Sequence, residues 1–259
     1  MLSLTQSALG LASGSVVGFS LGLVGGGGSI LAVPLLVYLV GVSDPHVAIG
    51  TSAIAVAANA AVNLVNHARA GNVKWRCASV FALAGMAGAF LGSTLGKVIE
   101  GQKLLALFAI VMMAVGALML KGRAGAGEPS VRLNRENLPK LFALGGLTGA
   151  LSGFFGIGGG FLVVPALIAA TGMPILYAVG SSLVAVTAFG LTTAANYALS
   201  GLVDWYLAAL FISGGVLGGM LGAGSASSLA ARKGALNTVF AALIFAVALY
   251  MLVRNLGFT

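Results

Sequence analysis

Charged residues are scarce in this chain, and long apolar runs take their place. Only 7% of the 259 residues are Asp, Glu, Lys or Arg, whereas 59% are hydrophobic and the mean hydropathy is +1.08. A soluble globular domain carries about 25% charged residues. The shortage of charge therefore excludes an ordinary soluble fold and indicates a polytopic membrane protein.

Cysteine, histidine and acidic residues are also sparse, and each shortage narrows the function classes. The single cysteine, Cys77, excludes an internal disulfide framework and any multi-cysteine metal site. No Asp, Glu, Lys or Arg lies in the interior of a predicted span, so a proton relay through an intramembrane carboxylate is not expected. His46 and His67 are the two side chains that titrate near neutral pH without perturbation. We predict no metal site and no cofactor.

The net charge of +8 does not indicate a nucleic-acid partner, because the basic residues lie in short loops between apolar runs. Most of them fall in three loops, at 67–76, 121–139 and 224–234, which the positive-inside rule assigns to the cytoplasm. The loops at 97–102 and 199–204 and both termini are then expected on the other side. The N-terminus lacks a basic n-region, so no cleaved signal peptide is expected.

Two glycine clusters, at 25–29 and 156–160, organise the chain, and a proline follows each one. A short apolar helix that begins at such a cluster directs free N–H groups and the positive end of its dipole towards it. Inside a membrane such a helix end is a natural anion site. The candidate substrate-binding residues here are Gly25, Gly26, Gly27, Gly28, Ser29, Gly156, Gly158, Gly159 and Gly160. The alternative is that the glycines only permit tight turns or close helix packing.

The apolar runs form two copies of one unit. They are predicted at 7–24, 29–41, 47–66, 76–96 and 103–120, and at 140–155, 160–171, 176–198, 205–223 and 235–253. Gly14, Gly18 and Gly22 recur as Gly145, Gly149 and Gly153, and Trp75 recurs as Trp205. We therefore predict two transmembrane repeats, 1–120 and 140–259, joined by a cytoplasmic linker at 121–139. Equivalent loops fall on opposite faces, so the repeats are predicted to be inverted.

The second run of each repeat is too short to span a membrane comfortably. The run at 29–41 makes about 20 Å of helix, against a hydrocarbon core of about 30 Å. It is either one arm of a re-entrant hairpin or half of a broken helix, and such backbone must be buried in protein or line a wet cavity. The predicted fold is therefore an all-α polytopic membrane protein with about eight to ten membrane segments. Its two glycine clusters are expected to face each other near the midplane.

Polar residues inside the spans are the remaining candidates. Asn59 and Asn63 lie four positions apart and share one helix face. Together with Thr193 in the second repeat they are candidate hydrogen-bond donors to a dehydrated oxyanion, or else they join helices together. Helix capping is the expected role of Thr51, Ser52, Ser181 and Ser182.

The glycine motif, Gly-x-Gly-Gly-(Gly/Ser)-x4-Pro in each half, resembles the signature of the TauE/SafE sulfite-exporter family. The second copy, from Gly156 to Pro165, is the closer match; the first has Gly26 for the aliphatic residue and Ser29 for the last glycine. Chain length, duplication and the basic linker resemble the family as well, over about residues 7–253. The resemblance implies a multi-pass permease of the inner (plasma) membrane that moves a small sulfur-containing anion such as sulfite, thiosulfate or an organosulfonate.

Other function classes fit the residues less well. The string from Gly92 to Val98 lacks the spacing and the hydroxyl of a phosphate-binding loop, which argues against an ATP-driven pump. A serine hydrolase built on Ser181 and His67 would have no acidic third member. The alternatives that remain are an anion channel with a glycine-lined filter and a carrier of a non-sulfur organic anion. A coupling proton or sodium ion and a homodimer are left open, and no enzymatic activity is expected.

The two roles of glycine predict different effects of mutation. Valine at Gly28 or Gly159 should weaken anion binding in a protein that still folds. Valine at Gly18 or Gly149 should instead push helices apart and lower stability.

Overall fold

The computed structural model describes residues 3–121, 131–156, 160–230, 242, 245–251 and 253. Within these ranges the chain is helical apart from short connections, and no strand occurs in them. The full-length helices are α1 (Leu4–Val24), α3 (Pro45–Arg69), α4 (Trp75–Gly96), α5 (Gly101–Lys121), α6 (Leu138–Phe155), α7 (Gly160–Thr171), α8 (Ile175–Ala198) and α9 (Trp205–Ala230). Between α1 and α3 a 3-10 helix (Gly25–Leu31), a three-residue α2 (Ala32–Pro34) and a π-helical turn (Leu35–Val40) follow one another. We call this stretch, residues 25–40, the first short arm, and α7 the second short arm.

Local sequence signals explain where the first helices begin. Ser3 caps α1 by accepting a hydrogen bond from the Gln6 N–H, and the Gln6 side chain returns a bond to Ser3, which completes a capping box. Asp44 caps α3 by accepting from the His46 N–H, with Pro45 at the first helical position. Both signals lie in the sequence and determine where these two helices of the first repeat begin.

Within the described residues, six helical stretches are long and apolar enough to cross a membrane. They are Leu4–Val40, Pro45–Arg69, Trp75–Gly96, Leu138–Phe155, Ile175–Ala198 and Trp205–Gly224, and two shorter apolar helices are Gly101–Ala114 and Gly160–Thr171. The prediction of an all-α polytopic membrane protein is confirmed. One boundary was wrong: the loop expected at 224–234 is helical as far as Ala230, the last described residue of α9.

The first short arm folds back along α1. Val40, at the end of the arm, accepts a hydrogen bond from the Gln6 side chain near the start of α1. Pro34 lacks the N–H that would continue an α-helix, and the backbone widens into the π-helical turn directly after it. The run predicted as a re-entrant arm or broken helix therefore forms the second arm of a helical hairpin with α1, and the first glycine cluster is the tip of that hairpin.

The two halves use the same glycine stripe for helix packing. In the first, Gly14 and Gly18 of α1 lie against the backbone of Phe211 and Gly215 in α9. In the second, Gly145 and Gly149 of α6 lie against the equivalent residues of α4, which are Phe81 and Gly85. A Cβ at any of these glycines would overlap the partner backbone, so the close approach of the helices depends on them.

α3 and α8 cross at the centre of the molecule. Gly50, near the start of α3, lies against Tyr197 and Leu202 at the end of α8, and Gly180, near the start of α8, lies against Asn72 just beyond the end of α3. The two equivalent helices therefore run in opposite directions where they touch. α3 also packs beside α9, and α8 beside α4, so each repeat is interleaved with the other.

Candidate functional site

The two short arms contact each other through their glycine clusters, near the start of the first cluster and at the end of the second. A Cβ built on Gly160, the first residue of α7, would overlap the backbone of Gly26, and a Cβ on Gly26 would lie 2.7 Å from the Gly160 Cα. Gly25 and Gly156 hold equivalent positions at the two hairpin tips, with φ of +66° and +67°. Both values favour glycine, because an L side chain is strained there. The expectation that the clusters face each other is met by Gly26 and Gly160.

The first glycine cluster is buried, and some of its backbone hydrogen-bonding groups already have partners. Its residues 25–29 are all buried, and the Gly26 N–H donates to Ser182 Oγ on α8 at 2.9 Å. Ser29 Oγ donates to the Gly26 carbonyl at 2.8 Å. The amide of Gly26, expected to be free for an anion, is therefore already bonded across the repeat interface. Gly158 and Gly159 lie outside the described residues.

The hydroxyl residues expected to cap helices do a different job. α3 begins at Pro45 and α8 at Ile175, so Thr51, Ser52, Ser181 and Ser182 lie inside these helices. Thr51 Oγ1 accepts from the Asp204 N–H, and Ser181 Oγ accepts from the Lys74 N–H, each at 2.9 Å. The capping interpretation was wrong. Thr51 and Ser181 bond the loop of the opposite repeat instead, because a short hydroxyl side chain on a crossing helix reaches a neighbouring backbone. Ser52 and Ser182 donate to carbonyls of their own helices, and Ser182 also accepts from the Gly26 N–H.

Asn59 and Asn63 are fully buried amides with unmet hydrogen-bonding capacity. Neither Oδ1 nor Nδ2 of Asn59 has a hydrogen-bond partner in the described part of the chain, and the same is true of Asn63 Oδ1. Asn63 Nδ2 donates to the Asn59 carbonyl at 2.9 Å. Both side chains fill the space left by glycines of α9, Asn59 against Gly215 and Asn63 against Gly219. An unsatisfied buried amide costs about 1–3 kcal/mol of stability, which marks this pair as a candidate ligand site.

The second repeat contributes two further buried polar atoms without a partner in the described chain, Thr193 Oγ1 and the Tyr197 hydroxyl on α8. Thr193 occupies the position equivalent to Asn63, and Tyr197 that of His67. Asn59, Asn63 and Thr193 thus share burial and missing partners. Asn59 and Asn63 lie in one helix interface with α1 and α9, whereas Thr193 lies on the equivalent helix of the other half.

An open cavity of about 380 Å³ lies at the C-terminal end of α3, beyond the two amides. It is lined by Asn66, His67, Ala70, Asn72, Met220, Ala223 and Gly224, and we call it the first vestibule. At its inner wall His67 Nε2 donates to the Gly22 carbonyl at 2.9 Å. A Cβ on Gly22 would lie 2.8 Å from Asn63 Oδ1, so this contact joins the vestibule to the amide pair. The sequence identified His67 only as a group that titrates near neutral pH. Its position directly after Asn66, the last asparagine of α3, was the signal that could have indicated its place in the vestibule.

The equivalent residues at the end of α8 form a closed cluster. Lys97 Nζ donates to the Asn196 carbonyl at 3.1 Å, to Asn196 Oδ1 at 2.7 Å and to Ser200 Oγ at 2.8 Å. Asn196 Nδ2 in turn donates to Ser93 Oγ at 2.6 Å and to Thr94 Oγ1 at 2.9 Å. Sequence reasoning treated Lys97 only as a loop cation and missed this network, since no local pattern links it to α8.

Polar atoms that are buried between packed apolar helices without a partner in the described chain, together with an open cavity at one helix end, are typical of a polytopic membrane transporter. The chain belongs to the sulfite exporter TauE/SafE family, whose model matches residues 10–251. It is a multi-pass protein of the plasma membrane. No solved structure matches it.

Curated relatives agree with this class. A probable membrane transporter protein of Xylella fastidiosa (strain 9a5c) is 56% identical over 95% of this chain and 94% of its own length. The probable membrane transporter protein YunE of Bacillus subtilis (strain 168) is 29% identical over 83% of this chain and 85% of its own length. A probable membrane transporter protein of Haemophilus influenzae is 28% identical over 73% of this chain and 72% of its own length.

Proposed function

We propose that this transporter carries a small sulfur-containing anion, such as sulfite, thiosulfate or an organosulfonate, and binds it beside Asn59 and Asn63. The observation behind the proposal is the fully buried Asn59 amide, which has no partner in the described chain and shares its helix with residues that line an open vestibule. Burial removes the Asn59 amide from water. An anion that accepts a hydrogen bond from Nδ2 would replace the hydrogen bond to water that is lost. The family match supports the anion class.

The glycine clusters have a supporting part in this proposal. Gly25 and Gly26 bring the hairpin tip close to α8, while Gly28 packs against α1 and Ser29 bonds the Gly26 carbonyl. In the second arm, Gly156 packs against α3 and Gly160 against Gly26. Gly27, Gly158 and Gly159 remain candidates for direct contact with the anion through their N–H groups. Thr193 is proposed as the donor from the second repeat, since its hydroxyl is buried and without a partner in the described chain.

We further propose that the two repeats are inverted, as the loop charges predict. The order of contacts along α3 and α8 supports this, because equivalent helices related by an axis along the membrane normal would run in the same direction. Single cysteines at Asn72 and Leu202, in a Cys77→Ser background, can be labelled in membrane vesicles with an impermeant reagent. We expect labelling from opposite sides. Labelling of both from one side would contradict the inverted arrangement.

Ligand binding to the purified protein tests the substrate class. We expect sulfite, thiosulfate or sulfoacetate to raise the melting temperature by binding the native state, with acetate and succinate as controls. The same screen with and without sodium tests whether the free oxygens of Asn59 and Asn63 hold a coupling cation. A shift with carboxylates alone would favour a carrier of non-sulfur organic anions. Equal responses to every anion would contradict a selective site.

A further inference from the structure

The first vestibule has a counterpart in the second repeat, residue for residue. Its lining residues Asn66, His67, Ala70, Asn72, Met220, Ala223 and Gly224 correspond to Asn196, Tyr197, Ser200, Leu202, Phe90, Ser93 and Thr94. These equivalent residues are the ones that surround the hydrogen-bond network of Lys97. The first of these places is therefore an open cavity, whereas at the second a lysine side chain and its partners form a hydrogen-bond network in which Asn196 and Ser93 are buried.

The two places lie at opposite ends of the α3–α8 pair. Tyr197 lies against Gly50 at the start of α3, while His67 lies near the end of the same helix. The distance along α3 between these points is about 25 Å at 1.5 Å per residue. An open cavity at one end and a hydrogen-bonded, buried cluster at the other is the arrangement expected of a carrier that is open to a single side.

We propose that Lys97 is the latch of a second vestibule at this opposite end, and that its ammonium group holds the vestibule shut by joining α4 to α8. The inference rests on the proposed transport function, which requires access from both sides. All three donors of the ammonium are directed to oxygens of α8 or of the residues directly after it. The position equivalent to Lys97 in the second repeat is Ser227, so the sequence supplies no ammonium group there.

The charge of the latch suits the transported species. Among the described residues the recorded ion pair is Lys103–Glu100, so the Lys97 ammonium is held by neutral oxygens rather than by a carboxylate. Neutral oxygens are weaker partners for an ammonium than an anion is. An anion that arrives from this side would therefore compete for Lys97 and release Asn196. Such a latch favours opening to an anion over opening to a neutral solute.

Thiol labelling of the purified full-length protein tests the latch without any substrate. Ser93→Cys in a Cys77→Ser background reports the interior, because Ser93 is fully buried beneath Asn196. Ala223→Cys reports the equivalent place in the first vestibule, which is partly exposed. With a water-soluble maleimide we expect Ala223→Cys to react at least tenfold faster than Ser93→Cys. Adding Lys97→Met should raise the Ser93→Cys rate at least tenfold.

Two controls keep the result specific. Leu199 lies in the exposed loop after α8 and is not among the hydrogen-bond partners of Lys97, so Leu199→Cys should react at a similar rate with and without Lys97→Met. Lys103→Met removes a nearby exposed lysine that is paired with Glu100, and it should leave the Ser93→Cys rate unchanged. An unchanged Ser93→Cys rate in the folded Lys97→Met protein would overturn the latch and leave Lys97 as a helix-end residue. This outcome is independent of the anion screen, so the two proposals fail separately.

Discussion

Two equivalent glycines of the repeats contact different side chains, an amide in one case and an aromatic ring in the other. Gly215 of α9 lies against the Asn59 side chain, whereas its equivalent, Gly85 of α4, lies against the ring of Phe189. Asn59 and Phe189 are equivalent residues, and both are fully buried. Phe189 also stacks on Phe81, with ring centroids 6.2 Å apart. The duplicated frame is thus unchanged while its contents have diverged.

This difference separates what glycine does from what the polar residues do. The glycine stripes bring helices together in both halves, so they explain the fold and not the chemistry. Asn59 and Asn63 occur in the first half, and the equivalent residues of the second half are Phe189 and Thr193. The binding chemistry that we propose is therefore asymmetric within a nearly symmetric scaffold, and substitutions at equivalent positions can distinguish the two roles.

The largest effect is expected when both stripes are damaged equally. A Cβ on Gly18 would lie 2.5 Å from the Gly215 Cα, and one on Gly149 would lie 2.5 Å from the Gly85 Cα. Because backbone cannot move aside as a side chain can, Gly18→Ala and Gly149→Ala should each cost about 3 kcal/mol. The measurement is the melting temperature of the purified protein and its yield after detergent extraction.

Gly146→Ala is the matched control for these two changes. Its Cβ would find the Ala84 carbonyl oxygen at 3.9 Å, which is an ordinary contact. Alanine has a higher helix propensity than glycine by about 1 kcal/mol, so this variant should be as stable as the unmodified protein or more so. A Gly146→Ala protein that loses as much stability as Gly18→Ala would contradict the packing role of the stripe.

The next largest effect should differ between the two halves, with anion binding affected in one and stability in the other. Asn59→Leu keeps the number and branching of the side-chain heavy atoms and removes an amide without partners in the described chain, so the melting temperature should hold or rise. Loss of a hydrogen bond to a charged ligand should weaken anion binding about 10- to 100-fold. Phe189→Leu should do the reverse, with about 1 kcal/mol less stability and unchanged affinity. Normal anion affinity in a folded Asn59→Leu protein would refute the proposed site.

The sequence predicted the helical frame well, because its signals are local or repeated. Apolar runs, capping residues and recurring glycines needed no tertiary information, and the second short arm has its predicted bounds, Gly160–Thr171. Asn59 and Asn63 were named because two amides on one face of an apolar span are costly to bury. The features that agree with prediction are those that one helix or one repeat determines by itself.

What the sequence did not predict depends on contacts between the repeats. Lys97 meets Asn196 across the interface, and no pattern in either segment announces the pair. Gly28 was expected to accept valine without loss of folding, yet a Cβ there would overlap the backbone of Leu21 and Ser20 in α1. That expectation was wrong, because the hairpin folds back on its own first helix. Gly159 lies outside the described residues, so its half of the expectation stays a prediction.

The smallest effect should be the same in both halves. Thr51 holds the Asp204 N–H and Ser181 holds the Lys74 N–H at the same distance, 2.9 Å, so one contact occurs twice in equivalent form. Thr51→Val and Ser181→Ala each leave one partly buried N–H of a connecting loop without its acceptor, at a cost of about 0.5–1.5 kcal/mol. The two contacts lie at opposite ends of the α3–α8 pair and share no partner, so the double variant should lose the sum of the single losses. Melting temperatures of the three variants measure this. Unequal single losses, or a double loss far from their sum, would show that the loops of the two repeats are not equivalent supports of the fold.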